Sequence, residues 1–291
     1  MKQRVLSTLV LWGLAVAILW LLGVHGGWFL LATLALLAQA ELYDLLRKIG
    51  HPPQKRLGLA LGAVLLIAAF YVPAPSAGEA FSIVTGVFGL CVVALSLILL
   101  LRKVDRRQAA DFMATLFGLV YVPYLFQFYV LMARHYHLEP SANGVAAVAM
   151  PLWVILTAKF SDVGGLLVGR VAGRHPFAPH TSPAKTWEGV VGAVIFSVLV
   201  GWLAWYVLQP VLGLLPANFV WWEAIVIALP VGIVAIASDL IESLLKRQAG
   251  VKDSGRYIPG IGGALDLCDS IILSAPVSYV LLRLFVIDPV V

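Results

Sequence analysis

The chain has 291 residues, 61% of them hydrophobic and 12% charged, with a mean hydropathy of +0.96. A soluble domain carries roughly a quarter charged residues, so a soluble architecture is excluded and an all-α, polytopic integral membrane protein is expected. The formal net charge of +5 does not point to nucleic acid, because the cations lie in short loops between apolar runs, where they orient a membrane protein and meet anionic headgroups.

A membrane span needs about 20 apolar residues, and nine candidates follow in chain order: 5–24, 28–46, 57–74, 80–101, 112–132, 144–168, 188–208, 221–244 and 267–287. The run from Val5 to Val24 is long enough to cross, with no convincing small-residue cleavage site after it, and is read as a retained first helix. With the N-terminus cytoplasmic, all Lys and Arg residues except Arg134, Lys159 and Arg283 fall in inner loops, which is the positive-inside pattern. One membrane domain, 1–291, is expected, with scaffold helices over 1–140 and the active site over 141–291.

The first five spans carry little chemistry. Glu41 and Asp44 share a helix face near Arg47 and Lys48 and read first as an interfacial pair, with a supporting part in a site as the other reading. His135 and His137 read as solvated loop residues, since Glu139 is the single acid beside them. The nine tryptophans lie mostly near span ends, as an interfacial belt requires. Cys91 and Cys268 form neither a disulfide framework nor a metal pattern, and no internal repeat is evident.

Polar content rises from Lys159. Lys159 and Asp162 share a face and can neutralise one another in the membrane, while Gly164, Gly165, Gly169 and Gly173 suit close helix packing or close approach to a ligand. Ser182 can cap a helix beginning at Pro183, which would gather free N–H groups with Lys185 and Thr186 at a positive helix end. A plain cap and a phosphate contact are equally open there.

The stretch 238–270 is the densest in charge, with Asp239, Glu242, Asp253, Asp266 and Asp269 among Lys246, Arg247, Lys252 and Arg256. Asp239 with Glu242, and Asp266 with Asp269, each project from one helix face. Two such pairs can hold one or two hard cations through oxygen, as Mg²⁺ with substrate phosphates requires. Gly260, Gly262 and Gly263 allow close turns beside them, and Lys246, Arg247 and Lys252 can neutralise phosphate charge; helix-end salt bridges are the alternative.

Ser243, Lys246-Arg247, Lys252-Asp253, Gly255, Ile258-Pro259, Gly262-Gly263, Asp266 and Asp269 stand in the register of a known signature. Upstream, Ser161-Asp162, Gly169-Arg170, Gly173, Pro179, Ser182-Pro183, Lys185-Thr186 and Trp187-Glu188-Gly189 match the same source. Across about 159–270 the chain resembles the phosphatidate cytidylyltransferases, the membrane CDP-diacylglycerol synthases. It departs from them at Ile261, where the signature has His, at Leu267, where it has Arg, and at Ala264 and Cys268, where larger apolar residues are usual.

The resemblance implies transfer of CMP from CTP to phosphatidate, giving CDP-diacylglycerol and pyrophosphate, at the cytoplasmic face of a bacterial inner membrane. It implies Asp239, Asp266 and Asp269 as ligands of one or two Mg²⁺ ions, with Asp253 as a further ligand, and Lys246 beside them in catalysis. Ser182, Lys185, Thr186, Arg247, Lys252, Gly262 and Gly263 become the substrate contacts, and a homodimer is implied. A CTP-dependent transferase or kinase acting on an isoprenoid lipid, a transporter, and a non-catalytic scaffold are the rival readings.

Overall fold

A computed structural model describes residues 2–74, 76–101, 108–138, 146–179, 181–255 and 262–287, without the side chains of 2–12, 77 and 136–138. Outside that description lie Glu139, His180, Arg256, Ile258, Pro259, Gly260 and Ile261, and the side chain of His137. The chain forms two compact units, Met1–His135 with Leu245–Cys268, and Tyr136–Leu244 with Asp269–Val291.

In the first unit, α1 (Lys2–Ile49) is broken at Gly23, whose φ of 54° and ψ of −130° fall near the end of the first expected span. Glycine takes a positive φ without the steric penalty of a side chain. Then follow α2 (Lys55–Tyr71), α3 (Ala77–Leu100), α4 (Gln108–Leu119), a π-helical turn over Val120–Tyr124 that holds Pro123, and α5 (Leu125–Leu138). Leu42, Leu45, Leu65, Leu66, Leu95, Leu119 and Phe126 fill the core. Tyr43 crosses that core against Gly58 and Gly118, neither of which leaves room for a Cβ, and donates to the carbonyl of Thr115 at 2.9 Å. Gln39 Nε2 donates to Tyr43 Oη and to the carbonyl of Gly58, each at 3.0 Å, so the buried amide nitrogen is satisfied.

The second unit holds α6 (Ala146–Ala172), a hairpin of β1 (Pro176–Ala178) and β2 (Ser182–Thr186), and α7 (Trp187–Tyr206) with a π-helical turn over Val207–Val211. It also holds α8 (Trp221–Gln248) up to Leu244. After α9 (Ala264–Cys268), which packs on α1 in the first unit, α10 (Ser274–Leu282) returns to the second. Helices α6 and α7 pack through glycine. A Cβ at Gly164 would meet Phe196 and the Gly192 carbonyl, and one at Gly192 would meet Val168. Small residues let backbones approach where lipid offers no competing hydrophobic drive.

Three expectations change. The all-helical layout gains the antiparallel hairpin, in which Ala178 pairs with Ser182 and Pro176 with Thr186. Consequently α7 starts at Trp187 rather than Pro183, and its cap is Thr186, whose hydroxyl accepts from the Gly189 N–H at 3.1 Å; Ser182 is a strand residue, not a cap. Trp153 is not an interfacial anchor but is fully buried, donating to the Gly201 carbonyl at 2.7 Å.

Among the described residues, six helical stretches are long and apolar enough to cross a membrane: Gly13–Ile49, Gly78–Leu100, Gln108–His135, Ala146–Ala172, Trp187–Val211 and Trp221–Gln248. The apolar helix Ser274–Ile287 is shorter.

Candidate active site

In the second unit, α8 presents Asp239 and Glu242 three residues apart, and the chain leaving α9 brings Asp269 to them. One carboxylate oxygen from each of the three lies within 4.8 Å of the others, and Glu242 is fully buried. Two oxygens bound to one Mg²⁺ stand at most about 4.2 Å apart, so a small side-chain rotation converts the cluster into a ligand set. The donors are all hard oxygen, which suits Mg²⁺ over softer metals.

Lysines face this cluster. Lys185 Nζ, on β2, is 2.5 Å from Asp239 Oδ2, and Lys159 Nζ, on α6, is 2.7 Å from Asp269 Oδ1 and 3.7 Å from Asp162 Oδ2. The Ser270 N–H donates to Asp269 Oδ1 at 2.7 Å, and Ser243 Oγ lies 3.4 Å from Asp239 Oδ1.

A cavity of about 220 Å³ opens beside Lys185 and Asp239. Ser161, Asp162 and Thr186 line it together with Leu166, Val190 and Ile236. A lining that mixes polar and apolar side chains fits an amphipathic ligand. Glu188 fastens the hairpin to α7: its Oε2 accepts from the N–H groups of Arg174 (3.1 Å) and His175 (3.3 Å), and its Oε1 is 2.6 Å from His175 Nδ1. Lys185 is thereby carried on a braced strand.

The remaining signature residues belong to the first unit. Lys246 Nζ donates to Asp266 Oδ1 at 2.7 Å, while Asp266 Oδ2 accepts from Ser254 N (2.9 Å) and Gly263 N (2.9 Å) and lies 2.8 Å from Ser254 Oγ. Burial opposes ionisation of Asp266, but the bonds from Lys246 and Gly263, the charge of Lys246 and the bond from Ser254 together hold its carboxyl below the ordinary carboxylate range. Gly262 has φ 121° and packs against the Asp266 carboxylate. Arg247, Lys252 and Asp253 are exposed, and Leu267 is half-buried in α9.

Glu41 joins this network. Its Oε2 accepts from Ser254 Oγ at 2.9 Å and from the Leu265 N–H at 2.8 Å, and it is 1% exposed. Asp44, three residues on, pairs instead with Lys55 at 2.6 Å. Glu41 is thus bonded into the Asp266 network and Asp44 into a salt bridge with Lys55. Glu242, which the sequence put with Asp239 in a pair able to hold a cation, lies in the acidic cluster; Lys159 and Asp162, read from sequence as a neutralising pair, lie beside it. Their i, i+3 spacing shows a shared face but not what that face meets.

Residues 2–285 match the sequence model of the cytidylyltransferase family. The chain is 32% identical to the phosphatidate cytidylyltransferase of Synechocystis over 304 aligned residues, covering 95% of this chain and 94% of that one. It is 35% identical to the uncharacterized protein YnbB of Escherichia coli over 50% of this chain and 46% of that one. Against the phosphatidate cytidylyltransferase of Helicobacter pylori the identity is 40%, over 44% of this chain and 45% of that one. With a family match running almost end to end over a helical membrane chain, the protein belongs to the cytidylyltransferase family.

Proposed function

We propose that the protein is a phosphatidate cytidylyltransferase, joining CTP and phosphatidate to give CDP-diacylglycerol and pyrophosphate. The observation that carries this reading is the trio Asp239, Glu242 and Asp269 with Lys185 and Lys159 on its carboxylates, beside a cavity lined by both polar and apolar residues. A phosphatidate oxygen attacks the α-phosphorus of CTP, a new P–O bond forms, the α–β bridging bond breaks, and pyrophosphate leaves with its electron pair. The nucleophile is already an anion, so no strong general base is required. The barrier lies in bringing two polyanions together.

Asp239, Glu242 and Asp269 would hold Mg²⁺, which supplies charge neutralisation on the transferred and departing phosphates. The exposed Asp253 is an added ligand in this proposal. Asp266, whose oxygens already accept from Lys246 and from the N–H groups of Ser254 and Gly263, acts by orienting Lys246 toward phosphate instead of binding metal itself. Lys185, Thr186 and Ser182 receive the lipid phosphate, while Arg247, Lys252 and the backbone at Gly262 and Gly263 receive the nucleotide phosphates. The acyl tails stay in the bilayer. In this proposal nine spans put the N-terminus and the site on the cytoplasmic side of a bacterial inner membrane, and the protein works as a homodimer.

The test is pyrophosphate release by purified protein in mixed micelles with CTP, phosphatidate and Mg²⁺, omitting each in turn and identifying the lipid product by mass. Product that requires all three is the expected result. Turnover with an isoprenoid phosphate or alcohol and none with phosphatidate would overturn the choice of acceptor.

A further inference from the structure

We infer that Glu41, on α1 and far in sequence from the signature, is a positioning residue for cytidylyl transfer: its carboxylate ties Ser254 to the first turn of α9 and so fixes the Lys246–Asp266 pair. The inference rests on the reading above for its chemistry and on the first unit alone for its geometry.

Glu41 touches two segments. On one side Ser254 Oγ lies 2.9 Å from Glu41 Oε2 and 2.8 Å from Asp266 Oδ2, its single hydroxyl proton standing between the two acids, while the Ser254 N–H donates to Asp266 Oδ2 at 2.9 Å. On the other, the Leu265 N–H, in the first turn of α9, donates to the same Glu41 oxygen at 2.8 Å. Two signature glycines close over the carboxylate. A Cβ at Gly255 would collide with Glu41 Oε1, and one at Gly263 would collide with Glu41 Oε2 and Ser254 Oγ. These glycines are thus small because an acid occupies the space a side chain would take.

An acid is a costly choice at this depth. Leucine at this position would leave the buried Leu265 N–H and Ser254 hydroxyl without this acceptor. What Glu41 supplies and leucine does not is a pair of directed acceptor contacts, one to Ser254 and one to the first turn of α9. Through Ser254 they set the Asp266 carboxylate, and through Asp266 the ammonium of Lys246.

The experiment compares Glu41→Leu and Glu41→Gln in the full-length protein in detergent, reading thermal stability, kcat and KM for CTP and for phosphatidate, and amide exchange of residues 252–255 and 263–267. Glu41→Leu is expected to stay folded with a lowered melting temperature, to raise KM for CTP about tenfold or more with a smaller change for phosphatidate, and to exchange the amides of 252–255 and 263–267 about tenfold faster. Glu41→Gln, which keeps an acceptor oxygen, is expected to recover most of both losses. Glu41→Leu with wild-type KM and wild-type exchange would overturn the inference, as would Glu41→Gln as impaired as the leucine variant in both readouts. If the wild-type protein makes no CDP-diacylglycerol, the proposed function fails, and the exchange comparison still judges Glu41 by itself.

Discussion

Two carboxylates of the trio each pair with a lysine, Asp239 with Lys185 and Asp269 with Lys159, and the third, Glu242, is fully buried. Glu242→Gln, Asp239→Asn and Asp269→Asn are therefore expected to lower Mg²⁺-dependent turnover by about a hundredfold or more, with Mn²⁺ affinity weakened in parallel by electron paramagnetic resonance. Unchanged Mn²⁺ binding in all three would remove the metal assignment. Asp266→Asn should behave differently, disturbing KM for CTP while leaving Mn²⁺ affinity within about twofold, because its oxygens serve Lys246, Ser254 and Gly263. Spacing alone made Asp239 and Asp269 visible in the sequence, since acids in apolar helices cost several kcal/mol and demand a reason. It could not separate Asp269 from Asp266, three residues apart, because the chain passes from one unit to the other at Cys268 and Asp269 and gives the two acids different neighbours.

At the scale of elements, the glycines of α6 and α7 make the tightest helix contact in the second unit. Gly192→Ala would push a methyl group into Val168 and is expected to destabilise by about 1–3 kcal/mol, as overpacking commonly does. A thermal melt in detergent checks this, and Gly213→Ala is not a fair control because Gly213 has φ 64°. Gly86, whose Cβ would meet nothing within 4 Å, serves that purpose. Apolar run length located helical stretches, and the first two expected spans, 5–24 and 28–46, fall on one helix, α1, broken at Gly23 near the end of the first. The hairpin at Pro176–Thr186 was not legible, because Ser182-Pro183 carries the pattern of a cap and N1 proline while strand pairing with Pro176–Ala178 decides the outcome.

For the whole molecule, the distribution of Lys and Arg predicts a cytoplasmic N-terminus and an outer C-terminus. The two native cysteines are buried, so single introduced cysteines report sidedness cleanly. Gln248→Cys is expected to react with a membrane-impermeant maleimide in inverted vesicles, and Ala217→Cys in right-side-out vesicles or cells. The reverse pattern would invert the topology and move the chemistry away from cytoplasmic CTP. Composition and run length made the membrane class plain from the sequence. The number of crossings was less so, because Ser274–Ile287 is a short apolar helix and Lys55–Tyr71 is only 17 residues long.

The bond between Lys159 and Asp269 also bears on how the protein is made. The two residues are 110 positions apart, so α6 enters the bilayer with its ammonium group long before its eventual counter-ion leaves the ribosome. Asp162, one turn along the same helix and 3.7 Å from Lys159 Nζ, is available throughout that interval. It can serve as an interim escort, lowering the penalty of inserting a lone cation until the last helix arrives. Asp162→Asn should accordingly reduce the amount of protein that reaches the membrane in pulse labelling more than it reduces the melting temperature of the molecules that mature.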